Sequence, residues 1–98
     1  MELKTTSIAG TMESSDIMGT LSPGVGKIEI DLSSTVEKQF GREIRRVILE
    51  TLDEMEISSA KVTAVDKGAL NCAIRARVQT AAYRAAQTDA YQWGRTDK

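Results

Sequence analysis

Histidine is absent from the 98 residues, and cysteine occurs once, as Cys72. Without them the usual zinc-ligand sets cannot be assembled. Ser-His-Asp and Cys-His nucleophile systems are excluded within the chain, and so is any internal disulfide framework. A carboxylate mechanism is formally left, but the composition leans against an enzyme. Aromatic residues are only 4% of the chain (Phe40, Tyr83, Tyr91 and Trp93), so a core must rest on Ile, Val, Leu, Met and Ala. Nor is there an excess of basic charge: the formal net charge is −1, whereas nucleic-acid binders carry a basic face. No nucleic-acid partner is expected. No apolar run approaches the roughly 20 residues needed to span a bilayer. Glu2, Lys4 and Thr5 interrupt any stretch resembling a signal peptide. A cytoplasmic protein with no membrane contact is the expectation.

What is present is ordinary for one small globular domain, here residues 1–98: 41% hydrophobic and 28% charged. Thr6 to Met12 is rich in small and β-branched residues and reads as a strand. Glu13-Ser14-Ser15-Asp16 is a run of turn-favouring polar residues. Ile17 to Leu21 can return as a second strand, giving a hairpin with Ser14 at or near its tip, and Ser22-Pro23-Gly24 breaks it. From Lys27 to Leu32 the pattern alternates, with Ile28, Ile30 and Leu32 on one face, which predicts a half-buried strand.

Ser34-Thr35-Val36-Glu37 has capping-box spacing. The helix it opens is expected to bury Val36, Phe40, Ile44, Val47, Ile48, Leu52 and Met55. Lys61 to Val65 reads as a strand and Asp66-Lys67-Gly68 as a tight reversal. Leu70, Cys72, Ile74 and Ala76 then alternate with Asn71, Ala73, Arg75 and Arg77, predicting a fifth strand with Cys72 turned to the core and Arg75 and Arg77 on one face. Gln79 to Gln87 is alanine-rich and favours helix, and the tail from about residue 88 is expected to be loosely ordered. The order β-β-β-α-β-β-α gives an α+β fold, a small antiparallel sheet with two helices on one face.

Three stretches carry the reading further. Ala9 to Met18 resembles the amino-terminal signature of the citrate lyase acyl carrier protein (gamma subunit) family. Val36 to Gly41 is similar to that family's first helix opening. Asp66 to Cys72, continuing to Arg75-Ala76-Arg77, looks like its carboxy-terminal hairpin and helix entry. The resemblance spans about residues 8 to 86. It implies a non-catalytic carrier subunit whose serine bears phosphoribosyl-dephospho-coenzyme A through a phosphodiester. The family's Glu-Ser-Gly-Asp places that serine at Ser14. This sequence departs from the pattern at Ser15, where the family commonly has glycine, and the extra hydroxyl makes Ser15 the second choice. The implied partners are the citrate lyase alpha and beta subunits and a prosthetic-group transferase. The resemblance also implies two active sites on those partner subunits, one exchanging acetyl for citryl with release of acetate and the other cleaving citryl to oxaloacetate. The carrier of a citramalate lyase, or an unmodified interaction module, would use the same sequence features.

A core-facing Cys72 would be inert, so the working thiol of such a carrier must arrive with the arm. An attachment serine needs exposure to a separate enzyme, which a polar turn gives. Arg42, Arg45 and Arg46 read as a solvated helix face, with Arg46 and Glu50 spaced to pair. Met12 and Met18 read as small-core fillers, Asp66 and Gly68 as servants of their turn, and Tyr91 and Trp93 as candidate docking groups.

Overall fold

The structure, a computed structural model, describes residues 1–35 and 37–86, with the backbone alone at Glu37 and Lys38. The capping reach of Glu37, the burial of Val36, the tail from about 88 and the docking candidates Tyr91 and Trp93 lie outside the described residues. Four strands and two helices follow in the order β1 (Ser7–Gly10), β2 (Ile17–Pro23), β3 (Ile28–Ser34), α1 (Glu37–Glu54), β4 (Ala60–Asp66) and α2 (Asn71–Ala86). The α+β class stands.

The sheet order is β1-β2-β4-β3. β1 and β4 pair antiparallel with β2, but β3 pairs parallel with β4. The sheet is therefore mixed rather than antiparallel throughout. The parallel pair follows from connectivity, because α1 is the crossover that brings the chain back to start β4 beside the start of β3.

One face of the sheet is covered. The register sets Ile17 against Asp66, Leu21 against Val62 and Leu32 against Ala64, and these side chains are buried. Onto them α1 packs Ile44, Val47, Ile48 and Leu52, and α2 packs Ile74, Val78, Ala81, Ala82 and Ala85. The opposite face carries exposed Glu29, Asp31, Lys61 and Thr63. This is the half-buried alternation that β3 and β4 show in sequence. The alanines let α2 lie close to the edge strand, and just ahead of that strand Lys4 and Thr5 donate their backbone N–H groups to the Ala85 carbonyl at 2.8 and 2.9 Å. Arg84 donates to the Ile8 carbonyl at 2.9 Å.

The fifth strand does not form. Leu70 to Ala76 belongs instead to the start of α2, which runs from Asn71. Two causes are visible. β4 already has β2 on one edge and β3 on the other, so the segment after it has no free edge to join. Ile74, Val78, Ala81, Ala82 and Ala85 also recur at helical spacing once the alanine-rich stretch is read together with what precedes it. Cys72 is consequently exposed. Arg75 and Arg77 diverge to different partners. Phe40 is not core either: it is 51% exposed. Met12, likewise expected as a filler, is 51% exposed.

α1 ends in an αL cap. Glu56 takes φ 59°, with its N–H on the Asp53 carbonyl and that of Ile57 on the Leu52 carbonyl, each at 2.9 Å.

Candidate functional site

The β1–β2 connection begins at Gly10, and only glycine fits there. Its φ is +102°, and a Cβ would stand 1.8 Å from the Ile17 carbonyl oxygen. The strands can therefore close tightly beneath a short polar loop, with Gly10 opposite Met18. At the loop's summit Asp16 donates its N–H to the Glu13 carbonyl at 3.2 Å, making Glu13-Ser14-Ser15-Asp16 a four-residue turn. Ser14 takes the second position and Ser15 the third. Ser15 has φ 65°, and a positive φ at the third position is what type II turns demand, usually of glycine.

The loop is fastened to the segment after β4. Ser15 donates its N–H to the Lys67 carbonyl and Lys67 donates its own to the Asp16 carbonyl, both at 2.8 Å. These bonds extend the β2–β4 ladder past its last pair, Ile17 with Asp66. Asp66 is itself buried. Its carboxylate accepts the Ser34 hydroxyl at 2.8 Å and the N–H groups of Gly68 and Ala69 at 3.0 Å each. It thus fixes the turn that leads into α2, as the sequence reading assigned it.

Asp16 is the second fastening. One carboxylate oxygen accepts the Thr11 hydroxyl at 2.6 Å and the other accepts the N–H of Ile17 at 2.7 Å. Arg77 grips both, with Nε 3.1 Å from Oδ1 and Nη2 2.7 Å from Oδ2. The Arg77 guanidinium first, and the Thr11 hydroxyl second, hold the Asp16 carboxyl well below the usual carboxylate range. Burial opposes them and the Ile17 N–H adds to them. Arg77 is pushed up in return by its hydrogen bonds to Asp16. Asp16 therefore ties the hairpin loop to α2.

Ser14 stands exposed at the apex, and its hydroxyl meets no hydrogen-bond partner among the described residues. Nothing placed there would make it a nucleophile on its own account. Ser15 is exposed as well, but its backbone is pinned in the left-handed region. Cys72 lies at the exposed start of α2, so burial is not what keeps its thiol from being the working one. Among the described residues no group of three His, Cys, Asp or Glu is placed to hold a metal ion. None of the described helices is long and apolar enough to cross a membrane.

The expected Arg46–Glu50 pair forms, and Arg46 also bonds Glu43. Arg75 binds Glu54 at 2.7 Å and Glu50 at 3.2 Å. Both arginines are thus engaged with helix carboxylates. Beside the hairpin loop a groove of about 420 Å³ opens between the starts of α1 and α2, lined by Phe40, Ile44, Ala69 and Leu70 with Glu43 and Asn71. Asn71 Nδ2 donates to Glu43 across it at 3.0 Å, and that bond, after those from Arg46, holds the Glu43 carboxyl down at about 2. Neither the groove nor the Asp16–Arg77 pair was foreseeable from local pattern. The pair spans 61 positions, and the only hint was that both ends fall in stretches of family resemblance.

Residues 4–85 match the family model of the malonate decarboxylase delta subunit. The citrate lyase acyl carrier protein of Streptococcus mutans is 53% identical over 98 residues, covering 99% of this chain and 96% of that protein. The citrate lyase acyl carrier protein of Oenococcus oeni is 56% identical over 94 residues, covering 95% and 97%. A chain of a Pseudomonas malonate decarboxylase hetero-tetramer shares the fold with a TM-score of 0.70, over 87% of this chain and 92% of that one, at only 18% identity. The chain belongs to the family of citrate lyase acyl carrier proteins, and is a carrier subunit rather than an enzyme.

Proposed function

We propose that this chain is the acyl carrier of a citrate lyase complex and that Ser14 is its attachment residue, bearing phosphoribosyl-dephospho-coenzyme A through a phosphodiester. The carrying observation is the shape of the loop. Ser14 and Ser15 both present exposed hydroxyls without a hydrogen bond among the described residues, but only Ser14 stands at the second position of the turn, whose backbone is fastened to Lys67 and whose Asp16 is fastened to Arg77. Ser15, the other hydroxyl, occupies the glycine-like position that shapes the turn.

The surroundings suit a phosphodiester. Asp16, two residues on, would repel an added anion, but Arg77 already neutralises it. In the attachment step the Ser14 Oγ forms a bond to a phosphorus of the activated donor. The leaving group departs with the electrons of the broken P–O bond, and the hydroxyl proton passes to a base on the transferase, because among the described residues no base is hydrogen-bonded to Ser14. When bound, the arm supplies the thiol on which acyl groups are held as thioesters. Anchoring that thiol to a stiff loop raises its effective concentration at active sites on the alpha and beta subunits to roughly millimolar. The sheet and helices serve as a base from which the loop presents Ser14 to solvent.

The test is intact mass and peptide mapping of protein from the native host, with Ser14→Ala, Ser15→Ala and Cys72→Ala beside wild type. Loading is expected to vanish only in Ser14→Ala. Loading lost in Ser15→Ala instead would move the site by one residue. Acetyl held by unloaded wild type and lost in Cys72→Ala would replace the arm with the chain's own thiol. No adduct from a host with active lyase would leave an unmodified interaction module as the reading.

A further inference from the structure

Asp16 uses its two oxygens for four hydrogen bonds, and two of them come from Arg77 on a different element. The remaining two, from Thr11 and Ile17, lie within the hairpin itself. Arg77 is thus the one contact that ties the Asp16 side chain to α2. Its side chain is 40% exposed while that of Asp16 is 15% exposed, so trimming Arg77 opens no cavity in the core. The loop's other attachment, through Lys67, is made by backbone alone and would survive the loss of any side chain. Serine at position 15 makes the grip matter more. A non-glycine residue at positive φ strains the turn, and the bonds around it must hold it there.

Building on the reading of Ser14 as the attachment residue, we propose that Arg77 is a positioning residue for the modification of Ser14. It acts through Asp16 to keep the 13–16 turn in the one shape that the transferase accepts. Arginine suits the task because its planar fork meets both carboxylate oxygens at once, which lysine cannot do. A turn released from Arg77 samples other shapes, and its apparent affinity falls by the fraction of time spent in the right one. Once bound in that shape, Ser14 reacts as before. The defect therefore falls on KM.

The experiment is steady-state loading of the full apo chain by the native host's transferase and its activated phosphoribosyl-dephospho-coenzyme A donor, followed by mass spectrometry. Wild type, Arg77→Gln, Arg77→Lys, Asp16→Asn and the Arg77→Gln/Asp16→Asn double variant are compared well below their melting temperatures. For Arg77→Gln, KM is expected to rise about tenfold with kcat within twofold, corresponding to a turn correctly formed about a tenth of the time. Arg77→Lys should fall between. Asp16→Asn should match Arg77→Gln, and the double variant should be no worse than either, because the two act as one unit. Backbone 15N order parameters at Ser14 and Ser15 should drop in the same variants.

Unchanged KM in Arg77→Gln overturns the proposal, as does a fall confined to kcat. Additive losses in the double variant overturn it too, by giving Arg77 a contact of its own with the transferase or the donor. Failure of wild type to load at Ser14 overturns the attachment reading and this inference with it. Normal wild-type loading beside normal variants sinks Arg77 alone.

Discussion

Ser15 offers the sharpest test of the loop geometry, because glycine there should make the protein more stable. The residue is held at φ 65°, in a region that costs an L-residue roughly 1–2 kcal/mol. Glycine removes that cost but makes the unfolded chain more flexible, which returns about 0.5–1 kcal/mol. The net expectation for Ser15→Gly is a gain of about 0.5–1 kcal/mol. For a chain of this size that is roughly 3–6 °C in melting temperature. The backbone bond from residue 15 to Lys67 needs no side chain and is kept. Ser15→Val provides the opposite arm: a β-branched residue is a genuine outlier at positive φ, and a loss of about 1 kcal/mol or more is expected. Urea denaturation followed by circular dichroism reads both. A neutral or destabilising Ser15→Gly together with a neutral Ser15→Val would mean that residue 15 is not left-handed in solution, and the turn would have to be redrawn. Because Ser15→Gly restores the family's Glu-Ser-Gly-Asp, it should also load at Ser14 as fully as wild type, which separates the shaping role of position 15 from an attachment role.

Gly10→Ala should be severe, since its Cβ would meet the Ile17 carbonyl at 1.8 Å and strands β1 and β2 would have to part; a loss above about 3 kcal/mol in a denaturant melt is expected. Asp16 predicts an acid response. Its folded carboxyl lies below the unfolded value of about 3.9, so its contribution is complete above that value and is lost as pH falls towards the folded one. Wild type should exceed Asp16→Asn in stability at pH 7, and the gap should close steadily below about pH 4; a gap independent of pH would mean that the Arg77 contact does not depend on charge. Phe40→Ala should cost about 1 kcal/mol or less because the ring is half exposed, whereas Ile48→Ala, fully buried in the same helix, should cost about 2–5 kcal/mol. Cys72 should react with iodoacetamide in the folded protein almost as fast as in urea, because it is exposed on α2; strong protection would restore the strand.

The sequence disclosed whatever depended on near neighbours. Ile28, Ile30 and Leu32 alternate because a sheet with one covered face requires it, and α1 shows its stripe from Ile44 to Leu52 because one side of it meets the core. Position 14 could be placed at a hairpin tip because Glu13 to Asp16 favour turns and apolar strands flank them. The misreading of residues 70–76 came from a true period-two pattern. Alternation and helical spacing coincide over the nine residues from 70 to 78 when the apolar positions include 70, 74 and 78, and only the occupancy of both edges of β4 separates strand from helix. Strand order is a property of the whole sheet and leaves no local trace. The same holds for Arg77: two arginines two residues apart point the same way on a strand and nearly opposite ways on a helix. On the helix, Arg75 reaches the carboxylates of α1 and Arg77 reaches the loop.

The single correction of strand to helix therefore turns two surface charges into one pair that joins the helices and another that grips the Glu13–Asp16 loop. It also explains why the first and third stretches of family resemblance, more than forty residues apart in the chain, meet at one end of the sheet. The loop around Ser14 cannot keep its shape alone. Its glycine-like third position is filled by serine, its ladder bonds come from the turn after β4, and its acidic residue is held by α2. An exposed loop with little packing of its own thus takes its shape from α2 and from the turn before it.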